Sequence, residues 1–319
     1  MRKVAALTAA SLATLLVLTG CAPAQSESTG EVTSITVGLI PVAEMYNTYV
    51  AKDQGFFKEV GLDVKVEVVS NAAAVVPSVV SGQYNIGSAA TPPFFSAVEK
   101  GIPIVAIANA ANTTSKADKD TGAFVVKKNS SIKTLKDLEG KTIAVNGLSS
   151  LPHVAAVARL TDQKLNVASM KFVAMPFPDM QAALDQGRVD AVLTVEPFMS
   201  QVLASVGTAI SPLYVDVYPA GTTHTLYFAT SQYASVNPQV IEKFRKAIAK
   251  ANDLIAKDEK IVRAALVKYG NMSEQVANSI NLPVYLNAFQ IEGMKVMAQK
   301  MKQTGFLTKD LDVTQYILK

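Results

Sequence analysis

Apolar positions along the chain fall into short blocks with two different periods. "SITVGLI", from Ser34, is a mostly apolar run of strand length. "LDVKVEVV" alternates Leu62, Val64, Val66 and Val68 with Asp63, Lys65 and Glu67, the period of a strand with one face buried. Between them Met45, Tyr49, Val50, Phe56 and Phe57 recur at helical spacing, predicting one helix that ends at Gly61. A helical stretch around residues 73–81, the strand "YNIGSAA", a corner at Pro92-Pro93, a helix over residues 94–99 and the strand "IPIVAIA" follow. Strands separated by helices predict a mostly parallel sheet with right-handed crossovers.

The same order then recurs. "KTIAVNG", "MKFVAM" and "VDAVLTV" read as strands, with "PHVAAVARLTDQ" and "DMQAALDQG" as the helices between them. Two segments align without gaps at an offset of 105 residues, "SGQYNIGSAATPPFF" from Ser81 and "QGRVDAVLTVEPFMS" from Gln186. Gly82 matches Gly187, Asn85 matches Asp190 and Pro92 matches Pro197, each pair at the same point of a helix–turn–strand unit. Two similar α/β lobes are expected. After a β-rich return, "TLYFATSQYA", Asn237 and Pro238 signal the start of one long amphipathic helix, and Ser273 the cap of another.

The N-terminus departs from this pattern. In "MRKVAALTAASLATLLVLTGCAPAQSESTGEV", Arg2 and Lys3 precede an apolar run from Val4 to Leu18, the layout of a secretory signal. The only cysteine, Cys21, follows directly. "LTGC" resembles the lipobox of bacterial lipoproteins, which implies removal of residues 1–20, acylation of Cys21 and a polar tether up to residue 34. Loss of Arg2 and Lys3 would lower the net charge of +4 to +2. No basic run exceeds two residues, which argues against a nucleic-acid partner. With Cys21 as an anchor there is no thiol chemistry, and two histidines make a poor basis for a metal site. No cofactor is expected.

The runs "AKDQGFFKEVGLDVKVE", "VVSGQYNIGSA", "FVVKKNSSIKTLKDLEGKTIAV", "ALDQGRVDAVLTVEPF" and "YFATSQYASVNPQVIEKFRKA" together resemble the solute-binding family for nitrate, taurine, aliphatic sulphonates and thiamine-pyrimidine precursors. The resemblance runs from about residue 35 to about residue 260 and implies a type II periplasmic-binding-protein fold. It places inter-lobe crossings near residues 121–124 and 222–227, with lobe one at 35–121 plus 225–319 and lobe two at 122–224. It implies a lipid-anchored monomer outside the cytoplasm, at the cell envelope, that passes a small solute to the permease and ATPase of an ABC importer. A solute-sensing lipoprotein with a signalling partner is the first alternative, and a pyrimidine-synthase-like enzyme the second.

In open α/β sheets ligands sit beyond the carboxyl ends of the strands. Those ends carry Glu44, Tyr46, Asn71, Thr91, Asn146, Ser149, Ser150 and Glu196, and Thr222 lies at the second crossing; these are the candidate ligand-binding residues. Several have a purely structural alternative. Thr91 is equally a corner residue, Ser149 and Ser150 equally helix caps, and Glu44 equally an acid favoured by a helix N-terminus. His153 reads as a surface helix residue and His224 as a partner for backbone groups. None of these exits holds an Arg or Lys, and two hold acids, which predicts a neutral or nitrogen-rich donor ligand ahead of an anion. No nucleophile–base pair is evident, and some relatives that make the thiamine pyrimidine use a cysteine-rich motif absent here. The expectation from sequence is therefore a protein without enzymatic activity.

Overall fold

The computed structural model describes residues 32–69 and 74–319. The expected signal segment, Cys21, the tether up to residue 31, and Asn71 lie outside the described residues. In chain order the first elements are β1 (Thr33–Leu39), α1 (Tyr46–Asp53), α2 (Phe56–Glu59), β2 (Leu62–Val68), α3 (Val75–Val80), β3 (Ile86–Ala90), α4 (Thr91–Glu99) and β4 (Ile104–Asn112). Next come β5 (Gly122–Lys127), β6 (Thr142–Val145), α5 (Leu151–Asp162), β7 (Lys171–Ala174), α6 (Phe177–Asp185), β8 (Ala191–Val195), α7 (Phe198–Ser205) and β9 (Gly207–Pro212). The chain closes with β10 (Thr223–Thr230), α8 (Ser231–Val236), α9 (Pro238–Lys257), α10 (Lys260–Gly270), α11 (Glu274–Ser279) and α12 (Ile291–Gln303).

The strands form two five-stranded sheets of one design, ordered β2-β1-β3-β10-β4 and β7-β6-β8-β5-β9. In each, three strands run parallel and a fourth is inserted antiparallel between two of its neighbours: β10 between β3 and β4, β5 between β8 and β9. Each sheet is thus mostly parallel, as expected, and the antiparallel exceptions are β10 and β5, the strands by which the chain enters each sheet from the other. Central strands such as β8 are buried along their whole length, while the edge strand β2 keeps Asp63 and Lys65 in solvent and buries Leu62 and Val64.

The internal repeat has a physical basis in matching hydrogen bonds. Asn85 donates its N–H to the Thr36 carbonyl at 3.0 Å and accepts the Thr36 N–H on Oδ1 at 2.8 Å. Asp190 does the same to Thr142, at 2.9 Å and 2.8 Å on Oδ2. Each residue therefore starts its strand by pinning the neighbouring one. Gly82 and Gly187 turn the chain into these strands at φ of 79° and 67°, a backbone region that a side chain disfavours.

Four local expectations are corrected. The single helix expected before Gly61 is split into α1 and α2 because Gly55 adopts a left-handed conformation, φ 76°. Pro92 and Pro93 form the first turn of α4 rather than a corner, where their missing N–H groups cost nothing. The long helix after Pro238 is broken between α9 and α10 at Asp258, which is extended. Asn237 makes no side-chain cap; its Nδ2 donates instead to the Tyr233 carbonyl of α8. Ser273 does cap α11, accepting the Val276 N–H.

Two segments, residues 113–121 and 213–222, connect the sheets. They are bonded to each other. Thr113 donates its N–H to the Thr222 carbonyl at 2.9 Å and accepts the Thr222 N–H on its hydroxyl at 3.0 Å. At their other end Asp120 accepts from Gly122 N at 3.1 Å, Tyr214 N at 2.7 Å and Val215 N at 2.8 Å. The two crossings are thus hydrogen-bonded together at both ends.

Candidate functional site

The carboxyl ends of the parallel strands of both sheets face one cavity of about 50 Å³. The first sheet supplies Ile40, Val42 and Glu44 after β1, Ala89 and Ala90 at the end of β3, and Thr225 from β10. The second supplies Asn146, Ser150 and Leu151 after β6, Phe177 after β7 and Val195 at the end of β8. Tyr214, from the second crossing, completes the wall, and none of the lining residues is Lys or Arg.

Most of this wall is aliphatic or aromatic, yet four polar atoms on it are buried without a partner: Glu44 Oε2, Asn146 Oδ1, Ser150 Oγ and Thr225 Oγ1. Buried polar groups are ordinarily paired, and leaving one unpaired costs about 1–3 kcal/mol. Four residues with such an atom lining one cavity is the pattern of a site that waits for its hydrogen-bond partners. Ser150 illustrates the cost. It occupies the N-cap position of α5, where its hydroxyl would ordinarily accept a backbone N–H, but no such bond is made.

Glu44 is the one carboxyl among the described lining residues. It is 2 % exposed, and burial pushes its carboxyl up to about 7, against which its bonds to backbone and Thr121 pull weakly. Thr121 donates its hydroxyl to Oε1 at 3.4 Å. His224 Nε2 stands 3.7 Å from Oε1, within the usual ion-pair distance. The pair is not ionic, however. Burial lowers His224 to about 4, so the imidazole is neutral above mildly acidic pH. Its Nδ1 lies 2.9 Å from the Ala111 carbonyl, which only accepts, so Nδ1 carries the hydrogen and Nε2 is a bare, unpartnered acceptor. The Tyr214 ring meets the His224 ring edge to face, centroids 5.5 Å apart.

The loop from β6 to α5 is held by a second histidine. His153 Nδ1 accepts the Ser149 N–H at 3.0 Å, and Ser149 adopts φ 64°. The imidazole packs between Phe172 and Phe306, and burial lowers it to about 4. His153 is therefore a buried packing residue and not the surface helix residue expected.

The candidate residues separate into two groups. Glu44, Asn146 and Ser150 reach the cavity. The others are engaged elsewhere: Thr91 donates its hydroxyl to the Thr223 carbonyl at 2.9 Å and Thr222 to the Pro219 carbonyl at 2.7 Å. Ser149 offers its N–H to His153, and Tyr46 packs against Tyr49. Glu196 is buried, and both of its oxygens have protein partners. Its carboxylate accepts the Ser200 hydroxyl at 2.8 Å and the Ser200 and Asn281 N–H groups at 3.2 and 3.0 Å. Tyr214, Thr225 and Phe177 escape sequence reasoning. Phe177 lies at a strand exit but carries no polar group, and Tyr214 sits in a crossing without periodicity.

A sequence profile described as NMT1/THI5 like matches residues 43–260. Among curated proteins the chain is 22 % identical over 252 residues to 4-amino-5-hydroxymethyl-2-methylpyrimidine phosphate synthase THI13 of Saccharomyces cerevisiae, covering 76 % of this chain and 71 % of that one. Among solved structures it superposes on the alkanesulfonate-binding protein SsuA of Xanthomonas axonopodis pv. citri, bound to MOPS, with TM-score 0.77, 16 % identity and coverage of 91 % and 99 % of the two chains. The nitrate-binding protein NrtA of Synechocystis PCC 6803 gives TM-score 0.74, 13 % identity and coverage of 90 % and 86 %. The fold is that of the type II periplasmic binding proteins. One expectation is overturned, that of a protein without enzymatic activity. The curated relatives are named as synthases, so homology to enzymes removes the ground for that exclusion.

Proposed function

The chain belongs to the NMT1/THI5-like family, and from that membership we propose that it captures a small amino-substituted nitrogen heterocycle, of the aminopyrimidine type, between its two lobes. The observation that carries this reading is the cavity itself: an apolar wall with Phe177 and Tyr214, four unpaired polar atoms, a buried carboxyl in its lining and no cation. A sulphonate or nitrate calls for fixed cations or several N–H donors. Glu44 Oε2, Asn146 Oδ1 and the two hydroxyls instead offer acceptors that a ring amine can satisfy. The pyrimidine in the names of the curated relatives supports the same ligand class.

An aromatic ring needs a cavity of about 150 Å³, the size that holds benzene in a protein core. The cavity of about 50 Å³ is tighter than that, so the lobes part to admit a ring, turning about the two crossings. In this reading the lobes correspond to the two sheets with their helices, the chain is tethered outside the cytoplasm through Cys21, and it delivers its ligand to the permease of an ABC importer. A thermal-shift screen of aminopyrimidines, alkanesulphonates and nitrate tests the ligand class, since a ligand that binds only the folded state raises the melting temperature. Stabilisation by aminopyrimidines is expected; stabilisation by sulphonates alone would contradict the proposal.

A further inference from the structure

Two buried groups at the site each keep a bare polar atom, Glu44 Oε2 and His224 Nε2, and the two side chains approach to 3.7 Å through Glu44 Oε1. His224 is fully buried and its tautomer is fixed, because Nδ1–H is committed to the Ala111 carbonyl. The edge-to-face contact with Tyr214, itself a wall of the cavity, holds the ring in place.

We propose that His224 is the proton partner of Glu44: when a ligand donates N–H to Glu44 Oε2, the carboxyl proton passes to His224 Nε2. The inference rests on the ligand reading above. One O–H bond breaks and one N–H bond forms, the pair goes from acid and imidazole to carboxylate and imidazolium, and its net charge is unchanged. No proton leaves for solvent.

The surroundings favour His224 over any other acceptor. The remaining groups that face Glu44 are Thr121, Asp120, Glu196, Tyr214 and Tyr285. Asp120 already accepts three backbone N–H groups, and Glu196 accepts from Ser200 and Asn281. Burial pushes both tyrosines well above their ordinary value, so neither supplies a phenolate. Among the described residues His224 Nε2 is the one unengaged nitrogen base beside the carboxyl. In the free pair the proton stays on Glu44, held near 7 while His224 is held near 4. An N–H donor on Oε2 lowers the first, and the carboxylate so formed raises the second. The transfer requires the 3.7 Å separation to shorten to a hydrogen bond in the liganded protein, as catalytic contacts that are long in the free protein ordinarily do.

The chain has two histidines, so protein labelled with 15N-histidine gives a spectrum that a His153→Asn variant assigns. The probe is 4-amino-5-hydroxymethyl-2-methylpyrimidine, added at pH 6 with calorimetry in two buffers of different ionisation enthalpy. The expected result is that His224 Nε2 moves to its protonated position on binding, with close to zero protons released to buffer. In Glu44→Gln, which has no proton to give, Nε2 stays unprotonated; Glu44→Asp restores the shift if the glutamine variant is poorly folded. Binding with Nε2 unchanged, or with about one proton released per ligand, overturns the inference while sparing the ligand reading. Failure of the probe to bind wild-type protein overturns both.

Discussion

Asn281 donates its backbone N–H to Glu196 Oε1 at 3.0 Å, joining the segment that pairs with β4 through Val284 to the exit of β8 in the other sheet. The Ala43 N–H bonds the Glu196 carbonyl at 3.2 Å, and Asn281 Nδ2 donates to the Asp118 and Asp120 carbonyls at 3.1 and 2.9 Å. Glu196 thus links the exit of β8 to segments of the first sheet, and both of its carboxyl oxygens already have protein partners.

That assignment separates two variants. Glu196→Ala strands the Asn281 and Ser200 donors and is expected to cost about 1–3 kcal/mol. Glu196→Gln keeps an acceptor and loses a charge that burial already disfavours, so its effect on chemical denaturation is expected to be smaller. Equal losses in the two variants would refute that link.

Stability should carry the signature of Glu44. Its carboxyl is raised to about 7 in the folded protein, so the folded state binds more protons than the unfolded state between the ordinary carboxyl range and 7. Stability from this group is present at low pH and is lost as pH rises to 7, at about 1.4 kcal/mol for each pH unit between the unfolded and folded values. His153 and His224, both lowered to about 4, act oppositely: their contribution is present above 6.5 and lost as pH falls through 4. Subtracting the profile of Glu44→Gln cancels the histidines. The difference, wild type minus variant, is expected to fall by a few kcal/mol between about pH 4.5 and about pH 7.5; a flat difference would show that Glu44 is ionised throughout.

Asn146 and Ser150 give a different test. Each holds an unpaired buried oxygen, so truncation removes a cost from the folded protein as well as a ligand contact. Asn146→Ala and Ser150→Ala should leave the melting temperature unchanged or raised while weakening ligand binding about tenfold, the scale of one hydrogen bond. Lower stability with unaltered binding would assign both residues to structure alone.

Much of this is legible in the chain. The match of Asn85 with Asp190 and of Gly82 with Gly187 announces two equivalent units, because each such residue performs one local task at the start of a strand. Strand exits locate Glu44, Asn146 and Ser150 for the same reason. Thr91 defeats the reading because its hydroxyl is taken by a carbonyl 132 residues away, a bond that no local pattern reveals. Thr225 is hidden by burial on both faces of β10, which erases the alternation that would mark one side. Tyr214 reaches the cavity only because the second crossing brings it there, and a crossing has no periodicity to announce it.

Anchoring is tested at Cys21, outside the described residues. If the lipobox resemblance holds, Cys21→Ser leaves a folded protein that no longer sediments with membranes. Retention on membranes after a high-salt wash would refute acylation as the attachment.

The central claim is that the cavity around Glu44 selects an aminopyrimidine. Titration calorimetry of 4-amino-5-hydroxymethyl-2-methylpyrimidine and of an alkanesulphonate, each into wild type and Glu44→Gln, measures it most directly. The expected result is sub-millimolar binding of the pyrimidine, weakened at least tenfold by Glu44→Gln, and no comparable binding of the sulphonate. Sub-millimolar sulphonate binding that Glu44→Gln leaves intact or strengthens, with no heat from the pyrimidine, would contradict it.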